Sequence, residues 1–239
     1  VIMQKILSYM RKAIQQYDLI RDGDHICVAV SGGKDSLVML NGLVMLKNFI
    51  GIDYQITALT IDPQFSGKEG NYSYVADFCE NIGVNYHVEK THIGEIVFDV
   101  RQEKNPCSLC ARMRRGALYN SATELGCNKI SLGHNYDDVV ETFIMNLFTE
   151  GRIGCFSPAT YLEDREIHII RPLVLAPERA VKKASKNLPV VKSVCPADGH
   201  TNRQKTKLFI AEMERQEHGF KDRIFGAMQR SGIDGWSIK

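Results

Sequence analysis

Two stretches of this sequence carry residue types whose spacing can do chemistry. The first is Ser31-Gly32-Gly33-Lys34-Asp35-Ser36, set between a short apolar run, Ile26 to Val30, and a helical stretch, Leu37 to Phe49. A strand delivering such a loop into a helix presents backbone N–H groups at a positive helix terminus, which is what phosphate oxygens need. Gly32 and Gly33 let the backbone approach an anion and permit positive φ. Ser31 and Ser36 add hydroxyl donors, and Lys34 adds a point charge. Asp35 suits Mg²⁺ or a helix cap rather than a phosphate. A tight turn would explain one glycine, but not two flanked by serines. The spacing matches neither the Walker loop nor the glycine pattern of dinucleotide folds. The second stretch is the CxxC pair Cys107 and Cys110, followed closely by Arg112, Arg114 and Arg115. Cys27, Cys79, Cys127 and Cys155 stand alone and read as small buried hydrophobes.

The elements that must position these residues alternate. A helix opens the chain, with apolar residues at Ile2, Ile6, Met10, Ile14 and Tyr17, and ends at Asp22-Gly23. Strands are expected at Ile26 to Val30, Tyr54 to Ile61, Val84 to Val88, Lys129 to Leu132 and Ile167 to Ile170. Helices are expected at Leu37 to Phe49, Tyr72 to Ile82, Arg112 to Leu125 and Asp137 to Phe148. This alternation predicts an α/β fold with a parallel sheet covered by helices on both faces. Ligands of such sheets lie beyond the carboxyl ends of the strands. The glycine loop, Asp62 and Gly133-His134 all fall at such ends, so they converge on one crevice. Beyond Arg171-Pro172 the chain reads as a short basic helix, Glu178 to Lys186, an extended piece, Pro189 to Val194, a loop from Cys195-Pro196, and two helices, Asn202 to Gln216 and Phe220 to Gln229. The organisation expected is a helix over 1–24, a nucleotide-binding domain over 25–175 and a helical extension over 176–239.

Composition bounds the class. The 239 residues are 44% hydrophobic and 24% charged, as in soluble globular proteins, with a net charge of only +2. Basic residues cluster locally at Arg112 to Arg115, at Lys182, Lys183, Lys186 and Lys192, and at Arg203, Lys205 and Lys207. Taken alone, such runs read as solvated helix faces. No apolar run approaches the roughly 18 residues needed to span a bilayer. The opening residues carry no signal-peptide pattern, although the absent initiator Met leaves room for trimming. Seven cysteines without a secretory signal argue against a disulfide framework. These features predict a cytoplasmic protein with no membrane contact.

The hexapeptide Ser31 to Ser36 resembles the signature of the PP-loop ATP pyrophosphatase superfamily. The resemblance implies an adenine-nucleotide α-hydrolase-like sheet, cleavage of ATP between its α and β phosphates, and transfer of AMP to a carbonyl oxygen. It also implies that the strand end at Leu59 to Asp62 lies near the adenosine. Leu132-Gly133-His134-Asn135-Tyr136-Asp137-Asp138 with Glu141-Thr142 resembles the GHNxDDxxET element of tRNA-modifying members. Consecutive carboxylates at a helix start are favourable capping in themselves. Beside Gly133-His134 they also suit Mg²⁺ near the phosphates.

Pro106-Cys107-Ser108-Leu109-Cys110-Ala111-Arg112-Met113-Arg114-Arg115-Gly116 resembles the CSxCxRxRRG segment of the tRNA 2-thiocytidine synthetases (tRNA-cytidine 2-sulfurtransferases). That family carries a third cysteine downstream, for which Cys195 is the candidate here. The likeness extends from the first helix to about Met228. It implies a [4Fe-4S] cluster on Cys107, Cys110 and Cys195 whose open iron binds a sulfide that attacks the adenylated base. A zinc site completed by His200, or a persulfide relay between Cys110 and Cys195, uses the same residues. The related two-thiouridine synthetases usually carry further CxxC pairs, which favours the 2-thiocytidine type here.

The resulting expectation is an ATP- and Mg²⁺-dependent tRNA sulfurtransferase acting on cytidine 32 of the anticodon loop. ATP is expected on Ser31, Gly32, Gly33, Lys34, Asp35 and Ser36, with Asp62, Gly133, His134 and Asp137 around it. Asp137 and Asp138 are expected on Mg²⁺, with Asp138 and Arg114 assisting catalysis. Arg112, Arg114 and Arg115 are expected to contact RNA. Alternatives are a uridine or other acceptor, or a cluster-bearing ATP sensor without transferase activity. Partners expected are tRNA and a sulfur donor, either a cysteine desulfurase or sulfide. The apolar face of the first helix suits either the core or a homodimer contact, with the latter preferred.

Overall fold

The computed structural model describes residues 2–101, 106–191, 195 and 202–238. Helix α1 (Ile2–Tyr17) leads to β1 (Asp24–Ala29) and α2 (Lys34–Leu46). Then follow β2 (Tyr54–Asp62), α3 (Ser73–Asn81), β3 (Asn85–Lys90), α4 (Pro106–Glu124), β4 (Lys129–Ser131) and α5 (Tyr136–Thr149). The short strands β5 (Ala159–Leu162) and β6 (Ile167–Ile170) precede α6 (Glu178–Ala184), α7 (Asn202–Gln216) and α8 (Phe220–Ser231).

The strands form one sheet in the order β3-β2-β1-β4-β6-β5. All neighbours are parallel except β5, which pairs antiparallel with β6 at the edge. From β1 the order runs outward through β2 in one direction and β4 in the other. The switch therefore lies between β1 and β4, where a crevice opens at the carboxyl ends.

Alternation along β1 divides the core. Ile26, Val28 and Val30 face a large cluster shared with α1, α2, α5, α6 and α8. Cys27 faces a second cluster built with Leu59, Ile61, Leu118 and Ile130 under α4. At the amino ends of the strands, Lys129 forms a buried ion pair with Asp24 at 2.8 Å and donates to the Leu19 carbonyl at 2.7 Å. Trp236 is fully buried, donates to the Phe156 carbonyl at 2.9 Å, and meets Tyr17 edge-on at 5.6 Å between ring centroids.

Several expectations need correction. The apolar face of α1 does not remain free for a second subunit. Ile6, Leu7, Met10, Ala13 and Ile14 are buried in the main cluster, against α2 and α6. Helix α4 begins at Pro106 rather than Arg112, so the CxxC pair rides in its opening turns. Proline at a first helical position has φ already set for the helix and lacks only an N–H that would be unpaired there. Helix α1 ends at Tyr17, ahead of Asp22-Gly23, where Asp18 turns at φ +50°. Strand β5 was not foreseen. Of the extended piece expected at Pro189 to Val194, residues 192–194 lie outside the described residues, as does His200.

Candidate active site

The loop after β1 is folded by its own side chains. Ser36 Oγ donates to the Gly33 carbonyl at 2.9 Å and accepts from the Ser31 N–H at 3.2 Å. Gly33 takes the N-cap position of α2 with no side-chain cap, so Asp35 is not the cap. The first N–H groups of a helix have no intrahelical partner. With no side chain capping them, those of α2 remain available to an anion. Gly32 has φ +78°, and a Cβ there would strike Tyr74 Oη. A side chain at Gly133 would sit 3.2 Å from the backbone of Asp35 and Ser36, so glycine lets the β4 turn press against the start of α2.

Asn135 joins the two motifs, a role that sequence reasoning missed. As N-cap of α5 it accepts from the N–H groups of Asp137 at 2.9 Å and Asp138 at 3.3 Å, while Asp138 reciprocates in a capping box. Its amide donates to Asp35 at 2.9 Å. An asparagine with an acidic residue three positions on, at a helix start, is the capping-box signature that could have revealed it.

A chain of charges runs away from the loop. Lys34 contacts Asp35 at 2.7 Å and Glu178 at 3.1 Å, and Glu178 in turn binds Lys207 at 2.7 Å. Arg203 lies 3.5 Å from Asp138 and 3.4 Å from Glu141. Burial is the main force that raises Lys34's neighbour Asp138, and it pushes Glu141 up to about 7. Lys34 itself is raised because Asp35 and Glu178 together outweigh its desolvation. Glu178 reaches Lys34 from an element far along the chain, with Lys207 behind it and Arg203 beside Asp138, and sequence reasoning assigned none of the three a role there.

Asp137 is committed elsewhere. It binds Lys221 at 2.7 Å and accepts from the Glu178 N–H at 2.6 Å. Among the described residues, no three His, Cys, Asp or Glu side chains converge to hold one metal ion. Mg²⁺ characteristically needs only one or two carboxylates together with substrate phosphates. Asp35 and Asp138, both bonded to Asn135, fit that requirement.

Asp62 and His134, expected around the nucleotide, are each engaged by neighbouring groups of the protein. Asp62 is 2% exposed and turns into its own loop, accepting from the N–H groups of Gln64 and Gly70 and from Tyr72 Oη. The ring of His134 packs on Phe156 at 4.7 Å between centroids, and its buried Nδ1 has no hydrogen-bond partner among the described residues. Burial, with Arg171 and Arg203 nearby, pushes its pKa down to about 3, so it is neutral at ordinary pH.

Two cavities meet at the crevice. One, of about 240 Å³, is walled by Val30, Leu59, Ile61, Leu118 and Leu132, with Arg114 and Arg115 at its edge. The other, also about 240 Å³, is lined by Gly33, Phe65, Tyr72, Tyr74, Val191 and Cys195. Ser31 and Arg114 line both. Arg112 is exposed and lines neither. Cys110 is buried, Cys107 exposed and Cys195 half-buried. Burial pushes the Cys110 thiol up, Arg114 pulls it down, and Cys195 and Cys107 raise it again. Cys195 lines the second cavity together with Arg114, and Cys110 is close enough to both, and to Cys107, to feel their charge, although the three thiols do not converge on one ion-sized point. Soft sulfur ligands that do not converge on a single ion suit a cubane cluster, which spreads its ligands over different irons.

A family model described as a PP-loop domain matches residues 3–190. The chain is 36% identical over 229 residues to a tRNA-cytidine(32) 2-sulfurtransferase of Citrifermentans bemidjiense, covering 94% of this chain and 89% of that one. It is 34% identical over 232 residues to the protein of the same name from Actinobacillus pleuropneumoniae serotype 5b, covering 95% and 72%. Among solved structures it resembles the U34-tRNA thiolase NcsA from Methanococcus maripaludis with its [4Fe-4S] cluster. That match has a TM-score of 0.78 and 25% identity, covering 96% of this chain and 78% of that one.

Proposed function

Because the chain belongs to the PP-loop family and, within it, to the tRNA-cytidine(32) 2-sulfurtransferases, we propose that it thiolates cytidine 32 of tRNA at the expense of ATP. The observation that carries this reading is that Ser31 of the phosphate loop and Arg114 line both cavities, that Cys195 lines the second, and that Cys110 feels the charge of Arg114, Cys195 and Cys107.

The apolar cavity takes the adenosine and leaves the phosphates on Gly32, Gly33 and the first turn of α2. Lys34, already aligned by Asp35 and Glu178, offsets phosphate charge. Asp35 and Asp138 hold Mg²⁺. The base enters the cavity lined by Tyr72 and Tyr74, whose rings offer stacking faces. Its C2 oxygen attacks the α-phosphorus, the bond to the β-phosphate breaks, and pyrophosphate leaves. Attack of sulfide on C2 then breaks the C2–O bond and expels AMP. Cys107, Cys110 and Cys195 would hold a [4Fe-4S] cluster that supplies this sulfur through the iron they leave open. Arg114, between the cavities, stabilises the departing phosphate and the RNA beside it. Free sulfide, or a cysteine desulfurase whose persulfide is first reduced to sulfide by two thiols that close to a disulfide, is the donor, and the reaction takes place in the cytoplasm.

The likeness to a U34-tRNA thiolase favours a second acceptor, uridine. Anaerobically prepared protein given Mg-ATP, sulfide and unmodified tRNA should release pyrophosphate only when tRNA is present. Nucleoside mass analysis of the product should show 2-thiocytidine. Thiouridine in its place would move the acceptor, and release independent of tRNA would sink the transferase reading.

A further inference from the structure

We propose that the exposed face of α6 is a docking surface for the phosphodiester backbone of the tRNA, held by Arg179, Lys182, Lys183 and Lys186 with Lys5 beside them. This rests on the tRNA reading above and adds where the RNA lies.

The four α6 cations recur at i, i+3, i+4 and i+7, which places them on one side of the helix and its following turn. Val181, fully buried, anchors the opposite side in the core. All four are exposed, as is Lys5. Many surface cations of this chain are neutralised by a neighbouring acid, as in Arg21–Asp18, Lys90–Glu69, Arg215–Glu212 and Arg223–Glu217. Among the described residues these five form no ion pair. A solvated helix face needs no such concentration of one sign.

The surroundings are concave. A cavity of about 710 Å³ opens between α6, α7 and α8, and one of about 250 Å³ opens between α6 and α1. Arg179 and Pro177 line both, so the two adjoin along the helix. The carboxylates in the larger cavity are already engaged. Asp137 binds Lys221, Glu178 binds Lys34 and Lys207, Glu214 accepts from the N–H groups of Gly219 and Lys221, and Asp222 accepts from Tyr136. What remains for a ligand is the positive charge of Arg179 and Lys182. Seven residues of helix advance about 10 Å, and each nucleic-acid strand carries a phosphate about every 3.4 Å, so the stripe faces several phosphates rather than one small anion.

The position suits the chemistry. α6 starts at Glu178, which holds Lys34, and the chain leaving it returns to the phosphate loop through the Val191 N–H on the Gly32 carbonyl at 3.2 Å. RNA lying on the stripe is therefore beside the crevice.

The test is fluorescence-anisotropy titration of tRNA across a salt series with a Lys182→Gln/Lys183→Gln/Lys186→Gln protein. Each phosphate contact contributes about 0.7–0.9 to the slope of log K against log salt, so the slope should fall by about 2 to 3. Affinity in low salt should drop at least ten-fold, and KM for tRNA should rise by a similar factor. The KM for ATP, which reports an intact fold, should not move. An Arg21→Gln/Arg165→Gln/Arg215→Gln protein loses the same charge elsewhere and should keep the wild-type slope. A patch variant with wild-type affinity and slope would overturn the proposal, as would a control that weakens equally. Wild-type protein that binds no tRNA would instead overturn the tRNA reading itself, and this surface with it.

Discussion

The backbone amide of Val191 donates to the carbonyl of Gly32 at 3.2 Å, which fastens the segment leading to Cys195 onto the phosphate loop. Nucleotide and sulfur chemistry are thereby tied through one backbone contact. Val191→Pro removes the donor, and a hydrogen bond of this kind is worth about 1 kcal/mol. The expected result is a KM for ATP raised about five-fold, together with partial loss of iron from anaerobically purified protein. Steady-state pyrophosphate release and iron analysis would check both.

Asn135 caps α5 and holds Asp35 at the same time. Asn135→Ala should cost about 1 kcal/mol for the cap, and a corresponding fall of about 2–4 °C in Tm. Activity should fall further than stability, because Asp35 and Asp138 lose their common partner. A thermal melt beside a pyrophosphate assay separates the two losses, and a variant with normal turnover would remove the positioning role.

Glu141 gives a pH signature. Burial raises its carboxyl to about 7, with Lys207 opposing and Asp138 adding to the rise. In the unfolded chain the group titrates near about 4.3. Between these values the native protein holds a proton that the unfolded chain has released. Stability from this group therefore falls as pH rises through that window and levels off above 7. Glu141→Gln should flatten this part of the profile, so that its urea midpoint changes less between pH 5 and pH 8 than the wild-type midpoint does.

Cys195 is the third thiol beside Cys110. Cys195→Ala should lose both the brown colour and thiolation while still binding ATP. Retention of about four irons per chain after anaerobic purification would show that another group completes the set.

Much of this arrangement was readable in the sequence, and the gaps have physical reasons. The phosphate loop and the strand ends are local features: an apolar run, two glycines and a helical period. Gly133 could be read from its motif at a strand end, whereas its tight approach to the backbone of Asp35 and Ser36 could not. The start of α4 was misplaced because a CxxC pair suggests a loop, whereas Pro106 was the better guide. β5 is four residues long and half-buried, leaving little alternation to read. Asp62 and His134 do sit at strand ends, but which way such a side chain turns depends on Tyr72 and Phe156, which local spacing does not place. Glu178 meets Lys34, and Arg203 meets Asp138, only through tertiary packing, and their type and spacing carry no sign of it.

The edge-on contact of Trp236 with Tyr17 joins an element synthesised early to a residue synthesised late. Until the ribosome has delivered that indole, the apolar side of α1 lacks part of its cover. Contacts so distant along the chain close slowly, since loop entropy must be lost before they form. A nascent polypeptide stalled before α8 would present that greasy helix to chaperones or to its neighbours on a polysome. Truncation inside α8 should therefore lower soluble yield more than its distance from the phosphate loop suggests.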